Sequence, residues 1–449
     1  MYIAIDAGSS FLKFGLIDVS CGNVSVVEKE RRAVVRAATP HPYQYEYDVE
    51  NIAAEVRGYI DRTATRMPVE GILITTQMHG SVLKNTQSGE TSNYISWQDE
   101  RCLAVRDGES SLDRLRRIIP ADVIALSGMR LKCEMALCNL YAKAAEEGLD
   151  LSHGYEVFTL GSYIINSLCG SNVTHITNAV PTGFFRLADG APNRELLAAV
   201  GMEGLALPQV SRELGPCGEY RTASGVAIPV YPDIGDQQVS MLGGGIDEGS
   251  LNINIGTATQ MSAICRDPDD GFYGSIYEVR PYFDGRYLRT VTKLPGGRSL
   301  QVIAGLFADA VRTFTGAEPG FPEIWDRIME LAGGETTLDV KTGFFCGLLF
   351  NEGAVKNIDS SNLTCRDIVC GAFYDLARVF DGILPVIDPG RDAARIVICG
   401  KFGEVVRAYM EKMTNASAYR IDTSASSDDS FAGLGKLVIA GKCRKDKRR

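Results

Sequence analysis

Tyr2-Ile3-Ala4-Ile5-Asp6-Ala7-Gly8-Ser9-Ser10-Phe11-Leu12-Lys13 is the stretch on which the fold turns. An apolar, β-prone run meets an aspartate, a small polar turn follows, and Phe11 to Val19 resumes the strand. Cys21-Gly22-Asn23 turns the chain again into Val24-Ser25-Val26-Val27, so Met1 to Val35 spells a three-stranded meander. Val49 to Met67 carries a helical pattern, and Gly71-Ile72-Leu73-Ile74-Thr75 is apolar enough to be buried on both faces. A meander followed by a helix and a buried strand predicts an α/β layer fold.

The same grammar returns later. Ser250 to Ile255 is a strand that breaks at Gly256-Thr257-Ala258-Thr259 and resumes at Gln260-Met261-Ser262-Ala263-Ile264. Strand, hydroxyl-rich turn and strand thus occur twice, which suggests an internal duplication. The run Gly243-Gly244-Gly245 is the best boundary, giving expected domains at 1–242 and 243–449. Near the end, Ala394 to Cys399 reads as a buried strand leading through Gly400-Lys401-Phe402-Gly403 into a helix over Glu404 to Thr414.

The bulk properties remove several function classes. The chain has 449 residues, 45% of them hydrophobic and 23% charged, with a formal charge of -10. That balance disfavours nucleic acid, whose phosphates want a basic face. The basic run from Lys442 to Arg449 reads as a solvated terminus. No stretch is long and apolar enough to span a bilayer, so a cytoplasmic protein without a membrane partner is expected. The 12 cysteines show no metal-ligand spacing and read as small buried hydrophobes. There is no G-x-x-x-x-G-K-[ST] loop, G-x-S-x-G elbow or H-E-x-x-H helix.

What chemistry remains gathers at a few places. The turn Gly8-Ser9-Ser10, with Lys13 beyond it, can aim backbone N–H groups and hydroxyls at phosphate oxygens. Asp6, at the end of the first strand, suits Mg²⁺, which takes hard oxygen donors. Gly256 and Thr257 repeat the turn in the second half. Asp236, in Asp233-Ile234-Gly235-Asp236-Gln237-Gln238, is the candidate general base for a hydroxyl attacking phosphorus. The alternative role for Asp236 is a helix N-cap. Gln77 and His79 follow a buried strand, where side chains face a crevice. Trp97 stands beside Gln98, Asp99 and Arg101, offering an aromatic face for sugar C–H groups.

These motifs, in this order, resemble the FGGY carbohydrate kinases of the actin/hexokinase/Hsp70 superfamily. Asp6 to Lys13 is similar to the family's first phosphate motif, and Asn254 to Ala258 to its second. Gly235-Asp236-Gln237-Gln238 is similar to the motif of its catalytic aspartate. Leu294-Pro295-Gly296-Gly297 resembles a glycine pair near the nucleotide. Cys399 to Gly403, with Gly400 and Gly403, resembles the adenosine motif, and Asp429 to Lys436 the closing helix. The resemblance implies two RNase H-like domains with Mg·ATP in the cleft between them. It also implies Asp236 as general base, Asp6 near the metal, and Gln77, His79, Trp97 and Gln237 as sugar contacts. Gln77-Met78-His79-Gly80 and Trp97 to Cys102 look most like sedoheptulokinases, then xylulokinases. Glycerol kinases share part of the pattern. Lys401 and Phe402 stand where small residues are commoner, and Gly343 to Gly353 is apolar where many members carry a Gly-Glu-Arg type stretch.

Two other readings compete. An ATP-binding actin-like regulator would keep the phosphate turns without needing Asp236, His79 or Trp97. A kinase for a small acid would need a cationic partner, and Arg101 is the candidate beside the tryptophan. The substrate class expected is a sugar or polyol, and a homodimer is compatible with the sequence.

Overall fold

The computed structural model describes residues 1–20, 22–256, 259–268, 275–345, 352–424 and 429–448, with side chains to residue 442. Contacts divide the chain into two compact units. One comprises Met1–Gly245, Arg280–Gly285 and Asp428–Arg449; the other comprises Ile246–Val279 and Arg286–Ser427. Two later pieces of chain therefore fold with the first unit.

The first unit is built on the meander. Strands β1 (Tyr2–Ala7), β2 (Phe11–Ser20) and β3 (Asn23–Ala33) pair antiparallel in sequence order. Strand β4 (Gly71–Thr76) then lies parallel to β1, with Ile3 opposite Ile72 and Asp6 opposite Thr75. Both β1 and β4 are buried along their whole length, as continuous apolar runs demand. Strands β5 (Gly218–Arg221) and β6 (Ala227–Val230) extend the sheet, and the short β7 (Ile234–Gly235) pairs with the end of β4.

Helix α1 (Val49–Ala64) covers this sheet by burying Ile52, Val56 and Ile60, spaced at one helical turn. The Asp48 side chain accepts from the Asn51 N–H at 2.9 Å and caps its start. Phe14 stacks on Tyr59 with centroids 4.5 Å apart. Ile3, Ile5, Phe14, Ile72 and Ile74 are fully enclosed, each worth about 1.5–3 kcal/mol on burial. The final helix, Asp429–Arg448, packs on the helix Asp236–Gly243 so closely that a Cβ at Gly433 would lie 2.0 Å from the Val239 carbonyl oxygen. Only glycine allows that crossing.

The second unit repeats the path. Strands β8 (Ser250–Ile255), β9 (Thr259–Cys265) and β11 (Tyr287–Leu294) form an antiparallel meander, with the edge strand β10 (Glu278–Pro281) beyond β11. Strand β12 (Arg395–Cys399) lies parallel to β8, as β4 does to β1, and β13 (Arg420–Ser424) is parallel to β12. The duplication expected from the two turns is thus a duplication of sheet topology. The long helix Cys365–Ile387 backs this sheet with Phe373, Leu376, Phe380 and Ile383. The helix expected over Glu404 to Thr414 runs only from Gly403 to Met410, because Lys412 and Met413 bond three residues back and tighten the chain.

Candidate active site

In the first unit the carboxyl ends of β1, β4 and β7 bring the predicted residues together. Parallel strands that stop side by side leave their following residues over one edge of the sheet. Asp6 is the last residue but one of β1, Gln77 follows β4, and Asp236 follows β7, whose Gly235 is paired with Thr76. The Gln77 N–H donates to the Ala7 carbonyl at 3.0 Å, locking two of these ends together.

Asp236 is the first residue of the helix Asp236–Gly243, and Gly235 occupies the cap position. The aspartate is therefore not the N-cap, the alternative weighed for it, although its Oδ1 does accept from the Gln237 N–H at 2.8 Å. The residue is half-buried while its carboxyl is enclosed by protein. Desolvation, then the nearby negative charge of Asp6, pushes its pKa up to about 7. The helix N-terminal N–H, Arg280 and Lys13 pull the other way and lose.

Asp6 is buried, and its Oδ2 accepts from Lys13 Nζ and from Ser430 Oγ, both at 2.9 Å. The lysine expected to face phosphate thus also balances the carboxylate. The turn at Gly8 is closed by its N–H donating to the Phe11 carbonyl at 3.1 Å. Ser9 is half-buried, Ser10 is exposed, and the Ser9 carbonyl accepts from the Tyr47 hydroxyl at 3.1 Å.

The Tyr47 hydroxyl also lies 3.0 Å from Gln98 Oε1 and shares its one hydrogen between the two oxygens, so the phosphate turn and the tryptophan segment share one brace. Trp97 is half-buried. Its neighbour Ser96 donates to Gln77 Oε1 at 3.1 Å, which fixes that amide with its nitrogen turned outward from the bond. His79 adopts a left-handed backbone, φ 70°, a strain of order 1 kcal/mol. Its Nδ1 donates to the Pro181 carbonyl at 2.8 Å, so the neutral ring carries its lone pair on Nε2. The following Gly80 has no alternative: a Cβ there would lie 2.1 Å from the Tyr94 hydroxyl. Gln237 is buried, and its Oε1 accepts from Arg280 Nη1 at 2.6 Å.

Arg101, the cation that a kinase for a small acid would need, is spent within the protein. It is 2% exposed, and its Nε and Nη2 each donate to Asp99 at 2.8 Å while Nη2 also reaches Glu46. Those two carboxylates raise the affinity of the guanidinium for its proton and consume it. Local spacing carries no hint of Glu46.

In the second unit the glycine motifs converge at the carboxyl ends of β8 and β12. The Gly297 N–H donates to the Gly256 carbonyl at 3.0 Å. A Cβ on Gly296 would meet Thr259 Oγ1 at 2.0 Å, and one on Gly297 the Gly256 oxygen at 2.7 Å. Gly400 has φ 112°, and a Cβ there would lie 2.4 Å from the Ile255 carbonyl oxygen. Gly403 opens the helix Gly403–Met410. Phe402 is buried against Trp325 and Phe373, which explains why a large residue is tolerated in this motif. Thr257 and Ala258 lie outside the described residues, as do Cys346 to Asn351 of the apolar stretch.

Three residues of the first unit's site went unassigned in the sequence. Arg280 precedes a proline in an unremarkable strand, Ser430 sits inside the closing-helix motif, and Asn178 has no local signature. Asn178 donates to Thr76 Oγ1 at 3.1 Å and to Asp233 Oδ2 at 2.6 Å, beneath the ends of β4 and β7.

The residues present fit Mg·ATP. Asp6 and Asp236 are hard donors whose charges oppose each other, a placement that a divalent cation relieves. Mg²⁺ binds through one or two carboxylates plus phosphates and water, so it needs no larger cluster; among the described residues no group of three or more His, Cys, Asp or Glu could hold a metal. In the second unit, the backbone at Gly296, Gly297 and Gly400 is a cradle that a Cβ would fill. Among the described residues no helix is long and apolar enough to cross a membrane.

Comparison with known proteins agrees with this geometry. A protein of Archaeoglobus fulgidus described as an uncharacterized sugar kinase is 26% identical over 279 residues, 57% of this chain and 55% of its own length. A glycerol kinase of Acidiphilium cryptum is 28% identical over 257 residues, 54% of this chain and 49% of its own. The matched region thus spans about half the length of these relatives. The crystal structure of xylulose kinase from Rhodospirillum rubrum superposes with a TM-score of 0.80 at 19% identity, covering 98% of this chain and 90% of that one. Plasmodium falciparum glycerol kinase with ADP gives 0.76 at 16%, covering 99% and 90%. Such likeness shows the fold, the two-domain actin-like ATPase architecture. Residues 1–243, more than half of the chain, match the model of the N-terminal domain of the FGGY family of carbohydrate kinases, and the chain belongs to that family.

Proposed function

We propose that this chain transfers the γ-phosphoryl group of Mg·ATP to a terminal hydroxyl of a small polyhydroxylated substrate, a ketose such as sedoheptulose. The observation that carries the proposal is Asp236, a carboxyl with a pKa near 7 at the meeting of three strand ends. A base poised near ambient pH is partly ionised and still strong enough to take a hydroxyl proton. Gln77, His79, Trp97 and Gln237 orient the acceptor, and Arg280 holds Gln237 in place for it. Asp6 holds the metal, whose role when bound is to neutralise charge developing on the phosphates. In the first unit Gly8, Ser9 and Ser10 offer backbone suited to a phosphate, and in the second Gly256, Gly296, Gly297, Gly400 and Gly403 offer backbone suited to a nucleotide.

A smaller polyol is the second reading, favoured by the relatives named glycerol kinase. A small acid loses its support with Arg101 engaged elsewhere. A non-catalytic regulator has no use for a base raised toward neutrality.

ADP release from Mg·ATP, measured across ketoses, aldoses, glycerol and other polyols, tests the reading. One acceptor should stimulate release strongly, and Asp236→Asn should lower kcat by about 10²–10⁴-fold while the protein stays folded. ATP hydrolysis indifferent to every acceptor, or full turnover in the variant, would refute it.

A further inference from the structure

Not every cysteine is the small buried hydrophobe that the sequence suggested. Cys102, Cys133 and Cys138 are buried, and burial pushes the Cys102 and Cys138 thiols up, which makes them inert. Cys169 and Cys217 differ: both are half-buried, and their side chains touch.

We propose that Cys169 and Cys217 form an oxidisable dithiol that closes to an intrachain disulfide when a peroxide reaches it. Three features of the first unit place them for this. Cys169 is the last residue of the helix Leu160–Cys169, which ends at Gly170 in the left-handed conformation and so turns away at once. Cys217 immediately precedes the strand Gly218–Arg221 that this helix packs against. The Cys169 sulfur lies directly over that backbone, since a Cβ on Gly218 would sit 2.5 Å from it. Glycine at 218 is what lets the two thiols approach.

A surface depression of about 600 Å³, lined by Ser171, Asn172, Gln209, Gly215 and Pro232, reaches Cys217, and Cys169 beside it is half-buried. The two sulfurs also share one proton unequally. The interaction between the two side chains lowers the Cys169 thiol and raises the Cys217 thiol in return. The Cys217 S–H also finds the Val230 carbonyl at 3.3 Å, and the Ser171 hydroxyl braces the Cys217 carbonyl at 3.0 Å. When Cys169 is protonated its hydrogen goes to the Ile165 carbonyl at 3.3 Å.

The chemistry balances with a peroxide as two-electron oxidant. The Cys169 thiolate attacks one peroxide oxygen, the O–O bond breaks, and hydroxide leaves Cys169 as a sulfenic acid. The Cys217 sulfur then attacks Cys169, the S–O bond breaks, and the Cys217 proton goes to the departing hydroxide as water. Overall, two thiols and one hydrogen peroxide give a disulfide and two waters. The bridge would tie together the ends of a segment that carries Asn178 and the Pro181 carbonyl, to which His79 donates.

The test treats the full-length protein with one equivalent of hydrogen peroxide, blocks remaining thiols, and maps digested peptides by mass. The expected result is a chain lighter by two hydrogens, a single cross-link between the Cys169 and Cys217 peptides, reversal by dithiothreitol, and a melting temperature raised by several degrees. In Cys217→Ser, Cys169 should accumulate as a sulfenic acid trapped by dimedone; in Cys169→Ser, peroxide consumption should fall at least tenfold. Neither variant should change basal kinase activity, which reports that each folds. Oxidation first at the exposed Cys365, a cross-link to any other cysteine, or both Cys169 and Cys217 still open to alkylation after the peroxide is consumed would each overturn the proposal. The wild-type mass map decides this even if a variant folds poorly.

Discussion

Replacing Arg101 by methionine separates a structural arginine from a ligand-binding one. Methionine keeps most of the side-chain volume and removes the charge. In the native protein the guanidinium donates twice to Asp99 and once to Glu46, and Asp99 is fully buried. Asp99 keeps only the N–H groups of Tyr45 and Arg101, at 2.8 and 2.9 Å, once the guanidinium is gone. An enclosed carboxylate stripped of its cation costs about 3–5 kcal/mol, because desolvation is no longer offset. At roughly 2–4 °C per kcal/mol for a unit of this size, the melting temperature should fall by roughly 6–20 °C. The double variant Arg101→Met with Asp99→Asn should recover part of the loss, since no uncompensated charge remains there. Thermal unfolding followed by tryptophan fluorescence and circular dichroism reads the shift, and acceptor KM is measured at a temperature where the variant is folded. A drop of less than about 2 °C, together with a tenfold rise in KM for one acceptor, would show that Arg101 serves the substrate and that the reasoning is wrong.

Asp233 predicts a pH dependence of stability. Burial holds its folded pKa near 6, above an ordinary value near 3.8, so between these the folded state binds a proton that the unfolded state lacks. Its contribution is intact below about pH 4 and is lost as pH rises through about 6, a change of about 3 kcal/mol. Asp233→Asn should therefore gain on the wild type in melting temperature between pH 4 and 7, and parallel curves would refute this. Gly400→Ala should cost about 2–4 kcal/mol, because the left-handed backbone and the contact with the Ile255 oxygen both resist a Cβ. It should also weaken ATP binding by calorimetry more than sugar binding, and an unchanged nucleotide affinity would remove Gly400 from the cradle. Arg280→Met should raise acceptor KM about tenfold with a smaller effect on kcat at its optimum, since it frees Gln237. It should also move the kcat–pH profile upward, since its charge no longer lowers the pKa of Asp236. Equal loss in kcat would mean that Arg280 acts on the transferred group itself.

What the chain discloses in its sequence follows the range of the forces involved. The paired meanders were legible because each is written within about thirty residues, as apolar runs broken by glycine-rich turns. Asp6, Gln77 and Asp236 were legible for a related reason: Asp6 is the last residue but one of a buried strand and the other two directly follow one, and parallel strands that end together bring these residues together. The role of Arg101 was not legible, because local spacing says that a cation is present and nothing about where it is spent. Its second carboxylate, Glu46, lies 55 residues away. Ser430 reaches Asp6 across 424 residues and Arg280 reaches Gln237 across 43, so no window of sequence contains either pair. The two assignments also differ in kind. A glycine whose Cβ would overlap a carbonyl oxygen leaves its mark at its own position, and Gly400 and Gly296 could be chosen from motif context alone. A polar side chain that orients another leaves no such mark, since a serine or arginine is acceptable almost anywhere on a surface. The parts of this site that bind by backbone shape were therefore written into the sequence, and the parts that tune the carboxylates and amides became visible only once the strands had brought distant residues within 3 Å of one another.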